Sequence, residues 1–191
     1  GLQGLATANA LVERGEEILL LERESDVATS TSFANAGMMT PSQSSPWNSP
    51  SDIAQILAGI GKVDSPMLLK LNQIPSLFFW GLKFLRNSTP KRFNQISRNL
   101  FELANYSKEL TVQFRNKNNV TYDESETGTL KIYRNSESMQ KSINQHEKIF
   151  SNLDAVKIIN NKDLVDLEPQ LKDIQSELSG GLLFSNDEVG D

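Results

Sequence analysis

Two glycines three residues apart, Gly1 and Gly4, begin a run whose types and spacing suit anion binding, and a carboxylate, Glu22, follows Gly4 by 18 positions. The dinucleotide-binding fingerprint is G-x-G-x-x-G at a strand-to-helix turn, with an acidic residue about 20 positions further on. With Gly1 as its second glycine and Gly4 as its third, the first lets backbone approach a pyrophosphate. The other lets the helix pack closely on a strand. Backbone N–H groups at Gly1, Leu2, Gln3 and Gly4 would then face the phosphates, where the helix dipole favours negative charge. Glu22 would accept hydrogen bonds from the ribose hydroxyls. The same spacing also arises in an ordinary packing turn between helix and strand.

The elements needed to position these groups are legible nearby. Leu2, Leu5 and Leu11 fall at helical spacing among Ala6, Ala8 and Ala10, and Gly15 suits the left-handed residue after a helix. Ile18 to Leu21 is a short continuous apolar run, the pattern of a strand buried on both faces of a parallel sheet. Residues 25–51 are rich in Ser, Thr, Asn and Pro and read as one long functional loop. Ile53, Ile56, Leu57 and Ile60 predict a short helix ending near Gly59–Gly61, and Met67 to Leu85 is strongly apolar. Ile96, Leu100, Leu103, Leu110 and Phe114 predict a longer helix. Strands are expected over 129–133, 156–159 and 180–184. Helices are expected over 136–150 and 163–168, the latter stopped by Pro169. No internal repeat is present.

Composition narrows the chemistry. In 191 residues, 19 Lys+Arg against 24 Asp+Glu give a net charge of −5, without the basic footprint of a nucleic-acid-binding protein. With no Cys and one His, disulfides, thiolate metal sites, thiol nucleophiles and His clusters are excluded. No metal site is expected. No apolar run reaches the roughly 18–20 residues of a membrane-spanning helix, and nothing resembles a signal peptide, so a cytoplasmic location is expected. The three N-x-S/T sequons, at Asn87, Asn105 and Asn119, read as chance in an Asn-rich chain.

Downstream of Glu22-Arg23, the unbroken stretch Thr31-Ser32-Phe33-Ala34-Asn35-Ala36-Gly37 resembles the flavin-dependent amino acid oxidoreductases of the D-amino acid oxidase superfamily, and within it the bacterial D-amino acid dehydrogenases. The likeness continues through Pro41, Pro46-Trp47, Trp80 to Asn87, Tyr106-Ser107, Gly128-Thr129-Leu130, Leu167-Glu168-Pro169 and Asn186 to Asp191, so it covers nearly the whole chain. The resemblance implies an α/β fold with an incomplete FAD-binding Rossmann-like domain over 1–44. A mixed α+β substrate or cap domain is implied over 45–185, and a crossover back to the FAD domain at 186–191. It places Gly1, Leu2, Gln3 and Gly4 at the phosphates, Glu22 at the ribose and Arg23 beside the adenosine. Ser32, Asn35, Ala36 and Gly37 are placed on the loop leading to the isoalloxazine ring. The implied reaction is oxidation of a D-amino acid at Cα, giving a 2-oxo acid and ammonia, with electrons passing to a quinone or respiratory-chain acceptor. Relatives acting on glycine, sarcosine or proline share much of this layout, and a non-catalytic remnant of the fold is the contrasting reading.

Against that family the chain reads as a fragment, beginning inside a phosphate loop and ending before the part that holds the substrate carboxylate. Alone it is expected to be inactive, and no catalytic residue is assigned. The Met67–Leu85 stretch is expected to be core of the substrate domain, with peripheral contact on the inner face of the plasma membrane as the alternative. His146 reads as a solvated surface residue. Asp123, Glu124 and Glu126 read as a solvated turn, Tyr106 and Tyr133 as packing residues, and Asp187, Glu188 and Asp191 as part of the crossover.

Overall fold

The computed structural model describes residues 1–33, 35–59, 71–150 and 156–190. The expectations resting on Ala34, Ile60 to Lys70 and Asp191 lie outside them. The first helix, α1 (Leu2–Val12), ends at Glu13, and Gly15 adopts φ +83° just beyond. A short strand β1 (Met38–Met39) leads into a 3-10 turn over Pro41–Gln43, then α2 (Pro50–Gly59), α3 (Ile74–Asn87) and α4 (Pro90–Asn118). The last part holds β2 (Thr129–Tyr133), α5 (Ser136–Ile149), β3 (Val156–Asn160), α6 (Asn161–Leu167), a 3-10 segment over Pro169–Glu177, β4 (Gly180–Phe184) and β5 (Glu188–Val189).

Side-chain caps explain where the later helices start. Asn135 accepts a hydrogen bond from Ser138 N at 3.0 Å to begin α5, and Asn160 accepts from Lys162 N and Asp163 N to begin α6. At the other end of α4, Asn119 takes the left-handed conformation at φ 51°. Pro90 sits in the first turn of α4, where its missing N–H costs nothing.

The main sheet is antiparallel with order β2-β4-β3, so the apolar Gly180–Phe184 segment is its central strand. Leu182 and Phe184 project from one face into the core formed with Tyr133, Met139, Ile149 and Phe150. Phe101 of α4 closes this layer, its ring 4.2 Å from that of Phe150. On the other face, α6 packs Leu164, fully buried, beside Gly181. A second, two-stranded antiparallel sheet pairs β1 with β5, Met38 opposite Val189 and Met39 opposite Glu188.

Three expectations are corrected. Ile18 to Leu21 forms no strand; Leu19 and Leu21 are each 83% exposed. An apolar run becomes a buried strand only where neighbours supply a ladder and cover both faces, and no described segment pairs with it. The described part of the Met67–Leu85 stretch is not core, because the sheet is already covered by α4, α5 and α6. Leu77, Phe78, Phe79, Trp80, Leu82 and Leu85 of α3 are exposed, and Trp80 stacks on Trp47 and on Phe84 instead. Tyr106 is also exposed, whereas Tyr133 is buried in the core as expected. The helix predicted around Ile96 to Phe114 extends over all 29 residues of α4.

Candidate functional site

Gly1 caps α1 without a side chain, and no acidic residue occupies the first turn. The first N–H groups of a helix have no partner within it, and one of them, Leu2 N–H, donates to Ser32 Oγ at 3.3 Å. Nothing lies within 4 Å of where a Gly4 Cβ would stand, so no described segment packs closely on the helix at Gly4, and the close helix–strand packing expected there is not seen. Glu22 accepts hydrogen bonds from Arg23 N at 2.7 Å and Glu24 N at 3.2 Å. These bonds, from Glu24 and then Arg23, hold its carboxyl below the usual carboxylate range. Arg23 is extended into solvent and paired with Glu24 at 2.8 Å.

The Ser32–Gly37 stretch is folded by its own asparagine. Asn35 Nδ2 donates to Ser32 O at 3.0 Å, while Asn35 Oδ1 accepts from Gly37 N at 2.6 Å. One amide therefore fixes both ends of the turn. Gly37 follows at φ +59°, and its carbonyl accepts the Gly190 N–H at 2.7 Å. A Cβ on Gly37 would stand 2.1 Å from Gly190 O, so only glycine permits the two backbones to touch here. Beside this contact lies an open cleft of about 580 Å³, lined by Phe33, Asn35, Ala36, Gly37, Asp123, Val189 and Gly190. Of the residues expected at a cofactor, Asn35, Ala36 and Gly37 are gathered at the cleft and Ser32 joins them to Gly1 and Leu2. Glu22 and Arg23 are not among its lining residues.

Behind the cleft is a polar layer that sequence reasoning did not find. Asp187, 1% exposed, accepts from Ser42 Oγ at 2.5 Å, Ser42 N at 3.2 Å and Thr129 Oγ1 at 2.6 Å. Glu188, also buried, meets Lys108 Nζ at 2.8 Å and Arg115 at 3.3 Å. Arg115 further donates to Tyr122 Oη at 3.0 Å and to Glu126 at 2.6 Å. The Tyr122 hydroxyl and then the two carboxylates hold its pKa above the ordinary arginine value. Glu126 is therefore an ion-pair partner rather than part of a free turn. The available signal was the Lys108–Arg115 spacing of two helical turns, which puts both cations on one face of α4, together with two acids directly after a buried strand. Among the described residues, no group of three or more His, Asp or Glu is arranged to hold a metal ion.

His146 departs from its expected solvated position. It is half-buried, with its ring 5.0 Å from those of Phe150 and Phe184, and Nδ1 lies 2.6 Å from Ser142 O. A surface position on a polar helix was overridden because the α5 face that carries His146 packs onto β4. Burial lowers its pKa below the ordinary 6.5, outweighing the Ser142 carbonyl. Since the folded state favours the neutral ring, the unfolded chain binds more protons in the window below 6.5. Stability is therefore expected to be full above pH 6.5 and to fall as the pH drops toward the depressed value. His146→Gln should flatten that dependence in urea melts run across the window; an unchanged slope would exclude His146 as its source.

Set beside known proteins, the whole chain, residues 1–191, matches the family described as DAO, FAD dependent oxidoreductase. Among curated relatives, the D-amino acid dehydrogenase of Paramagnetospirillum magneticum is 30% identical over 192 residues, covering 100% of this chain and 46% of its own. D-amino acid dehydrogenase 1 of Mesorhizobium japonicum is 30% identical with the same coverage, and the D-amino acid dehydrogenase of Phenylobacterium zucineum is 30% identical over 45% of its length. The chain thus spans about half the length of the curated relatives it matches. No solved structure gives a significant match. The family is FAD dependent, and this chain, matched from its first residue to its last, belongs to the DAO family of FAD-dependent oxidoreductases.

Proposed function

We propose that the chain forms part of a flavoprotein that oxidatively deaminates D-amino acids. The observation that carries this reading is the clasp between Gly37 and Gly190. It brings Asn35, Ala36 and Gly37, whose side chains are small or absent, against an open cleft that Phe33 also lines. The residues present fit FAD. Gly1, Leu2, Gln3 and Gly4 offer an uncapped helix start to the pyrophosphate. Glu22, held ionised by the Glu24 and Arg23 backbone N–H groups, binds ribose hydroxyls, and Arg23 flanks the adenosine. Ser32, Asn35, Ala36 and Gly37 approach the flavin ring, where a side chain at Gly37 would displace the backbone. When bound, FAD supplies a two-electron acceptor for the hydride of the substrate Cα, and the imino acid formed hydrolyses to a 2-oxo acid and ammonia. The protein's work is then to orient the two reactants, which suits a chain with one His and no Cys.

In this reading residues 1–44 belong to the flavin domain, 45–185 to the substrate or cap domain, and 186–191 return toward flavin. Electrons leave to a quinone or another respiratory acceptor. The exposed row Leu77 to Leu85 on α3, flanked by Lys83 and Arg86 and free of acidic residues, supports a peripheral contact with an anionic membrane surface. Among the described residues no helix is long and apolar enough to cross a membrane.

The test is an absorbance spectrum of the protein purified at its full natural length, before and after D-alanine. Flavin bands that bleach with D-alanine and not with sarcosine are expected. Bleaching by sarcosine alone would overturn the substrate, and the absence of bands would overturn the cofactor. Sedimentation of the same protein with anionic vesicles, lost in Phe79→Ser/Trp80→Ser, checks the membrane contact; equal sedimentation of the two forms would remove it.

A further inference from the structure

The wall of the cleft, β5, is held by a short ladder to β1 and, on its other edge, by one bridge in which Val189 and Ser125 exchange both backbone hydrogen bonds. Strands β1 and β5 share two residue pairs, and so short a ribbon is not stable unaided. Two contacts terminate it. At one end Gly190 N–H donates to Gly37 O; at the other, Ser42, three residues beyond Met39, gives both its N–H and its hydroxyl to Asp187. The same carboxylate takes the hydroxyl of Thr129, the first residue of β2. Asp187 itself sits at the turn from β4, with its N–H on Phe184 O at 3.2 Å. One buried side chain thus ties three parts of the chain, the segment after β1, the edge of the main sheet and the β4–β5 turn, and no cation neutralises it among these contacts. A buried carboxylate is tolerated only where its lone pairs are filled by donors, so its position is dictated by Ser42 and Thr129 together.

We propose that Asp187 is the positioning residue of the cleft: by tying Ser42 to Thr129 it fixes β5 relative to β1, and so sets the distance at which Gly190 meets Gly37. It touches none of the cleft and acts through backbone. Its consequence for flavin rests on the function proposed above, while its effect on the backbone does not.

The experiment is residue-resolved amide hydrogen exchange on the parent protein at its full natural length and on its Asp187→Ala, Thr129→Val and Thr129→Ser variants. Asp187→Ala and Thr129→Val are expected to speed exchange at Gly190, whose N–H is bonded to Gly37 O, about tenfold or more, with the Ile132 and Tyr133 end of the β2–β4 ladder unchanged. Thr129→Ser, which keeps the hydroxyl, should restore parental rates. If Asp187→Ala unfolds the chain, Thr129→Val decides. Parental exchange at Gly190 in Thr129→Val overturns the proposal, as does acceleration of all amides in step, which marks a general loss of stability. FAD titrated into the same proteins, read by quenching of flavin fluorescence, should bind more weakly wherever Gly190 has opened. A parent that takes up no flavin counts against the proposed function, with the exchange result still deciding the role of Asp187.

Discussion

Alanine at position 37 is expected to lower stability by about 3 kcal/mol and to abolish flavin binding. The left-handed conformation of Gly37 costs an L-residue roughly 1–2 kcal/mol before any contact is considered. The decisive quantity is the 2.1 Å between the added Cβ and the Gly190 carbonyl oxygen. Both atoms are fixed to backbone, so no rotamer change relieves the overlap, and β5 must retreat. Retreat breaks the Gly190–Gly37 hydrogen bond and disturbs the Val189–Ser125 pair on the far side of the strand. Gly4→Ala is the informative contrast. Its Cβ would point into open space, and within α1 alanine is the better helix former by about 0.5–1 kcal/mol. Gly4→Ala should therefore melt no lower than the parent, and any loss of flavin affinity there reports on approach to the phosphates alone. Urea midpoints and flavin titration of both variants make the comparison. A Gly37→Ala protein melting with the parent would show that the clasp is dispensable.

The second large effect is expected at Glu188. Its carboxylate is the group common to Lys108 and Arg115, and all three are largely removed from water. Glu188→Ala leaves two cations facing an empty space. Removing one member of a buried charged pair typically costs 3–5 kcal/mol, because the desolvated partner is left without compensation. Arg115 retains Tyr122 and Glu126, and Lys108 retains the Asn186 carbonyl, so a loss near the lower end, about 3 kcal/mol, is expected. The exposed pairs Lys141–Glu137 and Arg23–Glu24 provide the control, since ion pairs in water contribute little; Glu137→Ala should leave the melt unchanged. Chemical denaturation in low and high salt separates the classes, with the Glu188→Ala loss surviving salt. A Glu188→Ala midpoint within error of the parent would place the stability of this layer elsewhere.

The elements with local signals were legible in the sequence. The strand over 129–133 was visible from alternation, and the strand over 180–184 from a short apolar run behind two glycines. The helix expected over 136–150 is present, and the structure shows Asn135 capping it. What failed was burial, which depends on partners far along the chain. Ile18 to Leu21 has the composition of a buried strand and lies exposed, and Phe78, Phe79 and Trp80 have the composition of core and face outward. His146 went the opposite way, a polar residue on a polar helix whose neighbours Phe150 and Phe184 arrive from elsewhere. At the candidate site, the resemblance placed Asn35 and Gly37 on a loop, and the asparagine amide that folds it acts within three residues. Its partner Gly190 and the anchor Asp187 were not legible, because a contact across most of the chain leaves no periodicity.

That separation has a kinetic consequence. Ser42 and Asp187 are 145 residues apart, whereas the Tyr133–Ser142 contact of the main core spans 9. Closing a long loop is entropically opposed, with each doubling of its length adding about 0.6 kcal/mol, and contacts that depend on it form after local ones. The β2-β4-β3 sheet with α5 and α6 is therefore the expected nucleus, and the cleft wall is assembled last, on a scaffold already folded. A ribosome delivering this chain exposes the Ser32–Gly37 stretch long before Gly190 exists to receive it, so the Gly37 carbonyl has no strand to accept from until synthesis reaches β5.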